Sequence, residues 1–585
     1  MASEVNGRTN PLIPTNIRLS YRGTITEFDR QIISHHILDT EKELKGFDTQ
    51  LKKLNAEINR LKGAVILVES HREMVEQQLA NYRSLLSPIH KMPPEIMTEI
   101  FKLCCSCSKL GFYNLFDHTS LPPPMMLSSV CGRWRELVLD TPALWASLTA
   151  HNFYVNPDLT MYRAIEFFME RSKSAPLAID SAIHDDDDDG PNHGEDFLEP
   201  LVQNSRRWVS LDLFIAPSGF QAQIFQRLRG QIPLLKHLGL RSVITVPRPI
   251  MIDSTSPFLA AFELAPSLQS VTLTGHLATP LLALPWHQIE SIRLELSVDA
   301  ILSILRQCHT VEQITLRPIT GELSHTGSCD LLAFAREISI ILRSSSLDAL
   351  SGMLEHLTLP GLESVDLKLL VSPGFIRRHP PSGDVISILR NFLTRSSCSL
   401  TSLCLHHIPI DDVGLLSLLP LIPTLIALTI ADGKNDLITE KKVVTNHFLG
   451  RLSLYGKPVA GSRANCSTPS TDVLIPHLQN LTFSISDYED LDEKILVGTL
   501  ASRLPDTSQI LPGAQGKGHD TPASDRCLRS IDISLTVRNE KSFDALLSLE
   551  CFRDAGVKVK ITIFRLPATT RSSTDSVEES NEEDE

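Results

Sequence analysis

The chain has no Gly-rich phosphate loop, no Gly-x-Ser-x-Gly elbow and no His-Glu-x-x-His pair. Nothing in it therefore asks for nucleotide transfer, serine hydrolysis or zinc proteolysis, which depend on those spacings. A basic excess is missing too: 55 Lys and Arg face 69 Asp and Glu, a net charge of −14. Much of the acidic surplus sits in the run Asp185 to Asp189. More lies in a tail carrying Asp575, Glu578, Glu579, Glu582, Glu583, Asp584 and Glu585. The remainder is close to neutral, so no nucleic-acid partner is expected. An aspartate run without the Gly and bidentate acid of a calcium loop reads as a solvated loop, here His184 to Asp196.

Long apolar runs are scarce. Val413 to Ala431 holds no charge, but Pro420 and Pro423 interrupt it and its flanks, Asp412 and Asp432, are acidic. No membrane span or membrane partner is expected from it. No secretory leader is evident and the cysteines number eleven, an odd count. A reducing compartment, cytoplasmic or nuclear or both, is the expected location. Cys104, Cys105 and Cys107 cluster, but no second Cys or His pair follows at ligand spacing. Cys104 instead continues an apolar helix face, so no metal and no other cofactor is expected. The pairs His35–His36 and His406–His407 are likewise isolated, and no catalytic set stands out.

With 585 residues, 42% apolar and 21% charged, the chain holds several domains, or one domain plus an extended array. Residues 1–27 are polar, aperiodic and expected to be disordered. Over 28–86 a seven-residue repeat sets in. Ile37, Leu44, Leu51, Ile58, Val65, Leu79 and Leu86 form one series. Phe47, Leu54, Leu61, Val68, Val75 and Tyr82 follow three residues behind, with only Thr40 and Arg72 interrupting. Such a pattern predicts a coiled-coil helix. It pairs either with a second copy, making a homodimer, or with the rest of its own chain.

Residues 87–150 are the stretch around which the rest is arranged. Pro93 and Pro94 open a helix with Glu95 in its first turn. Ile96 and Ile100 lie on one side, and Met97, Phe101 and Cys104 form an adjacent apolar stripe. Leu127, Val130, Cys131, Trp134 and Leu137 predict a second amphipathic helix. Thr141 and Pro142 read as the cap and first residue of a third, carrying Leu144 and Trp145. Three short helices make a marginal core, with apolar surface left for a partner.

In Met92-Pro93-Pro94-Glu95-Ile96, Glu99-Ile100-Phe101, Val130-Cys131-Arg133-Trp134 and Pro142-Leu144-Trp145, the chain resembles the F-box family, and within it the fungal F-box-like proteins. It departs from the family at Met92, where Leu is usual, and in a long insert from Ser106 to Pro124.

From 151 to 566, after an expected helix from Met161 to Glu170, the spacing apolar-x-x-apolar-x-apolar governs the chain. It occurs ten times, from Trp208-Leu211-Leu213 to Leu528-Ile531-Ile533. The last three residues of each alternate as in a strand, and intervening stretches such as Asp384 to Thr394 are helical in pattern. This resembles a leucine-rich-repeat array, in which each strand-plus-helix unit buries its leucines only against its neighbours. The Asn or Cys that usually follows the strand is not maintained, so the inner turn must satisfy its backbone in another way. Insertions at Ser372–Gly383, Gly456–Thr471 and Pro505–Asp525 interrupt the array. A last strand runs from Val557 to Phe564, and the tail 567–585 is acidic and expected to be disordered.

The fold class read here is thus multidomain, α and α/β: a coiled-coil helix, a three-helix F-box and an irregular leucine-rich-repeat solenoid. The resemblance implies a substrate-recognition subunit of a cullin-RING (SCF-type) ubiquitin ligase, acting in ubiquitin-dependent degradation and not itself an enzyme. Carried over by motif, the residues contacting the ligase's small adaptor subunit are Met92, Pro93, Glu95, Ile96, Ile100, Phe101, Val130 and Trp134, with some of these expected in the internal core instead, Trp134 first among them. The repeats would hold a protein target that the sequence does not identify. The alternative is a non-enzymatic repeat and coiled-coil scaffold with no role in ubiquitin transfer.

Overall fold

The computed structural model describes residues 26–107, 122–150, 159–183, 193–215, 223–242, 258–275, 282–319, 330–331, 334–343, 347–370, 384–432, 442–454, 474–485, 491–504, 527–537, 548–554 and 556–565. The aspartate run, the three insertions, the acidic tail and all of the N-terminal stretch before Thr26 lie outside these. The chain divides into two units, Met1–Met97 and Thr98–Glu585.

The first unit is built on helix α1, Glu27–Leu85, 59 residues long. Thr26 Oγ1 accepts the Asp29 N–H at 3.3 Å, and the Asp29 carboxylate accepts the Thr26 N–H at 3.2 Å. This reciprocal pair satisfies two orphan donors and sets the helix start. Glu27 and Asp29 near the N-terminus and Arg83 in the last turn suit the helix dipole. No residue of α1 is buried.

The next three helices are α2 (Pro94–Cys107), α3 (Pro123–Val130) and α4 (Gly132–Leu139). The single amphipathic helix expected through Cys131 is in fact two. Cys131 adopts extended backbone, φ −160° and ψ 168°, between α3 and α4. Two local causes are visible. Ser128 and Ser129 donate their hydroxyls to the carbonyls of Met125 and Met126, which competes with helical bonding. Gly132 then makes continuation costly. The expected third helix is one 3₁₀ turn, Pro142–Trp145. Thr141 does not cap it, since its hydroxyl donates backwards to Leu137 O at 2.7 Å.

The remainder is α/β. Among the described residues, fourteen strands form one parallel sheet whose spatial order is the chain order. They are β1 Ser147–Ala150, β2 Leu177–Ile183, β3 Trp208–Ile215, β4 His237–Ser242, β5 Ser270–Thr274, β6 Ser291–Glu295 and β7 Gln313–Leu316. Then come β8 Glu337–Arg343, β9 Ser364–Leu370, β10 Ser402–His406, β11 Ala427–Ala431, β12 Asn480–Ile485, β13 Ser530–Val537 and β14 Lys558–Arg565. A separate parallel pair joins Asp330–Leu331 to Leu357–Thr358.

Helical segments fill the crossovers, as parallel pairing requires. The first, Leu159–Ser172, is longer than the expected Met161–Glu170. The next begins at His193, inside the stretch expected to be a loop. Further along, Ser297, Asp384, Asp411 and Thr445 each accept a first-turn N–H from the helix they precede, the N-cap arrangement that ends a strand-to-helix loop cleanly.

All ten apolar triplets coincide with strands β3–β7 and β9–β13, and all their side chains are buried, as in Leu235, Leu238 and Leu240. Three strands escaped the pattern. In β8 the anchor position is Ala335, too small to be counted, ahead of Ile338 and Ile340. In β2 the position paired with Leu213 is the buried Ser181, and β1 is only four residues long. The uncharged stretch from Val413 to Ala431 is shared between helix Asp412–Leu418, a 3₁₀ turn and β11. No described helix is long and apolar enough to cross a membrane.

On the side where the chain enters the strands, the backbone is satisfied by main-chain bonds from one repeat to the next. The residue before each of strands β4–β13 donates its N–H to the equivalent carbonyl one repeat earlier. Gln269 bonds Lys236, Glu290 bonds Gln269, Glu312 bonds Glu290, and so on to Arg529 on Gln479, all at 2.7 to 2.9 Å. Arginines close other carbonyls. Arg207 reaches Ala175 O at 3.0 Å, and Arg395 reaches Leu357 O at 2.7 Å. Arg503, 2% exposed, donates to Leu452 O, Ile475 O and Leu474 O at 2.8, 2.9 and 2.8 Å. Burial pulls its pKa down to about 10, yet the planar fork satisfies three acceptors at once.

Candidate docking surfaces

Helix α2 has two apolar stripes, and their exposures differ. Met97 and Phe101 are 2% and 1% exposed, whereas Ile96, Ile100 and Leu103 are 52%, 39% and 64% exposed. The Phe101 ring lies 4.8 Å from that of Trp134, tilted by 58°, so α2 and α4 are joined through an aromatic pair. Val138, Leu144 and Trp145 are buried as well. Trp145 Nε1 donates to Val138 O at 2.9 Å, and its ring meets Phe168 edge-on at 5.2 Å. That contact ties the 3₁₀ turn to the helix Leu159–Ser172 that follows β1.

Of the residues carried over as adaptor contacts, Pro93, Glu95, Ile96, Ile100 and Val130 are exposed and Met92 and Trp134 are half-buried. Phe101 is a correction. It belongs to the internal core and presents nothing to a partner. Leu103 and Met126, at 64% and 43% exposure, are open apolar side chains that the motif does not contain. Leu103 was available from spacing alone, three residues after Ile100 and seven after Ile96. Cys104, expected on the apolar face, is exposed, and Cys105 is half-buried with its thiol pushed up to about 11 by burial and the neighbouring Cys104. Among the described residues no group of three His, Cys, Asp or Glu could hold a metal ion.

A second surface is the polar face of the sheet. Its middle strands line an open groove of about 920 Å³, built from the residues that alternate with the buried leucines. Three charge clusters stand in it. Asp212 pairs with Arg241 at 3.0 Å and His237 at 3.5 Å. Glu295 pairs with Arg317 at 3.2 Å and Arg343 at 3.4 Å. Asp366 accepts from Ser339 at 3.1 Å and lies 3.8 Å from His406. Burial alone would raise the Asp212 pKa, but hydrogen bonds from His237 and Arg241 outweigh it and hold the carboxyl below its ordinary range. Between the clusters the groove is floored by Ser270, Thr272, Ser291, Thr315 and Ser364. His406 thus joins a cluster, while His407 turns away with φ 58° and bonds Asp432 O at 3.0 Å. The face offers hydrogen bonds and paired charges of both signs, which suits a polar, extended segment better than an apolar ligand. Comparison of the chain with protein-family models and with curated proteins gives no match.

Proposed function

We propose that this chain is the target-recognition subunit of a cullin-RING ubiquitin ligase. Helices α2–α4 act as an F-box that docks the adaptor, and the parallel sheet acts as an irregular leucine-rich-repeat solenoid that holds the target. The observation that carries the reading is the split on α2: Met97 and Phe101 are sealed, with Phe101 against Trp134, while Ile96, Ile100 and Leu103 stay open, as does Val130 on α3. A small helical domain that leaves large aliphatic side chains uncovered has a use for them only when another protein covers them.

On this reading the chain supplies no acid, base or nucleophile. It raises the local concentration of a target lysine near a charged ubiquitin-conjugating enzyme. The groove from Asp212 to His406 is where a polar stretch of the target would lie. The test is adaptor co-purification. Full-length protein brings the adaptor down, and Ile96→Asp with Ile100→Asp does not. If wild type and variant alike come down without the adaptor, the repeats and the long helix belong to a scaffold unrelated to ubiquitin.

A further inference from the structure

We propose that α1 pairs with α1 of a second copy of this chain as a parallel, in-register two-stranded coiled coil. The inference stands apart from the ligase reading and rests on α1 alone. Twelve side chains at the two core positions of the heptad lie along one seam, and all are open. They run from Ile37 at 50% exposure through Leu44 at 64%, Phe47 at 62% and Leu61 at 51% to Tyr82 at 68%. At α1's own rise the seam is about 70 Å long. Their open area is on the order of 600 Å² per helix, or about 1,200 Å² for a pair. That reaches the lower bound of a stable specific interface.

Charge decides the partner and the direction. Between Glu27 and Leu85 there are ten acidic and nine basic residues, so two copies approach without net repulsion. The flanking positions of a parallel pair set Glu57 against Lys62 of the second copy, and His71 against Glu76 of the second copy, with Glu43 against Asp48 the one acidic clash. A fully overlapped antiparallel pair instead sets Glu41 beside Glu76 and Asp48 beside Glu69, both unfavourable, and each occurs twice. In the parallel register Arg72, the one charged residue in the first core series, meets its own counterpart. A polar residue at such a position lowers stability but fixes register and favours two strands. Gly63 falls on the outer face of the same repeat, where a Cβ would meet nothing.

Two measurements on the full chain test this. Light scattering is expected to give twice the 64.9 kDa of one chain, and Leu51→Asp with Leu54→Asp is expected to return it to one copy with its helix content kept by circular dichroism. A wild-type mass of one copy overturns the proposal. For direction, differently tagged wild type and Arg72→Glu are mixed and allowed to exchange. In a parallel pair the arginine of one copy then faces the introduced glutamate of the other only in the mixed species, so heterodimers are expected to exceed the random share several-fold. Random mixing means that Arg72 does not face itself and overturns the parallel register. A mass above two copies overturns the two-stranded assignment.

Discussion

Exchanging the exposed pair Ile96 and Ile100 for Asp, set against Phe101→Ala, separates docking from folding. Phe101 is 1% exposed with its ring centroid 4.8 Å from that of Trp134, so its truncation leaves a cavity in a small core and costs about 3–5 kcal/mol. Ile96 and Ile100 have 52% and 39% of their surface open, so aspartates there stay solvated in the free protein and cost about 0.5 kcal/mol each. In a complex the same two side chains together forfeit about 1.5–3 kcal/mol of burial. Any carboxylate trapped without a partner adds several kcal/mol more, so binding weakens by about a hundredfold or beyond.

Because the whole chain is too large for a single two-state transition, stability is read locally, as hydrogen exchange of the amides between residues 94 and 145. Phe101→Ala is expected to accelerate that exchange by about two to four orders of magnitude, and to lose the adaptor only as a consequence. The Asp pair is expected to exchange like wild type and still release the adaptor. If the Asp pair loses protection as Phe101→Ala does, the open stripe is part of the fold. If it retains the adaptor, the docking face lies elsewhere.

Arg503→Met takes the donor from three buried carbonyls, of which Ile475 O keeps the Leu478 N–H at 3.4 Å, but no longer buries a cation. A net loss of about 2 kcal/mol is expected, visible as faster exchange in Glu493–Ala501 and β12, and Arg503→Lys should not rescue it because one ammonium cannot span the three acceptors. Asp212 has a folded pKa below its unfolded value of about 3.9. Its ionised form therefore contributes stability that is present above about pH 4 and lost as pH falls through the folded pKa. Asp212→Asn should accordingly weaken the sheet at pH 7, with the gap to wild type closing under acid, read as hydrogen exchange of the amides in β3–β5. Gly239→Ala would drive a methyl into the Asp212 carboxylate. The side chain must swing off Arg241 and His237, and a loss of about 1–3 kcal/mol is expected in the same measurement. Unchanged exchange in Gly239→Ala would mean that the cluster is not held as described.

The repeats were legible because burial in a parallel sheet imposes a strict demand. Every second strand residue must be apolar, as must an anchor three residues earlier, and Leu235, Leu238 and Leu240 satisfy it without ambiguity. Where the demand relaxes, the signal fades. Ala335 fills a tight anchor position, and Ser181 takes the place that a leucine holds in β3. On α2 the apolar residues were equally plain, but two stripes of similar hydrophobicity stood side by side. Periodicity does not say which faces inward: it places Phe101 beside Met97, and the family motif alone carries Phe101 to the partner side although that stripe is the buried one.

The sequence by itself determined the long helix, through a sustained seven-residue repeat, and the strand-and-crossover array, through its triplets. Both follow from local spacing, because backbone geometry fixes which side chains share a face. Only the tertiary structure decided that the sheet is continuous in chain order, that repeat-to-repeat backbone bonds and arginines close carbonyls between the strands, and that Ile96, Ile100 and Leu103 remain open while Phe101 is sealed. Those outcomes depend on which distant residues, such as Trp134 for Phe101 or Leu474 for Arg503, arrive against a given face, and no local pattern carries that information.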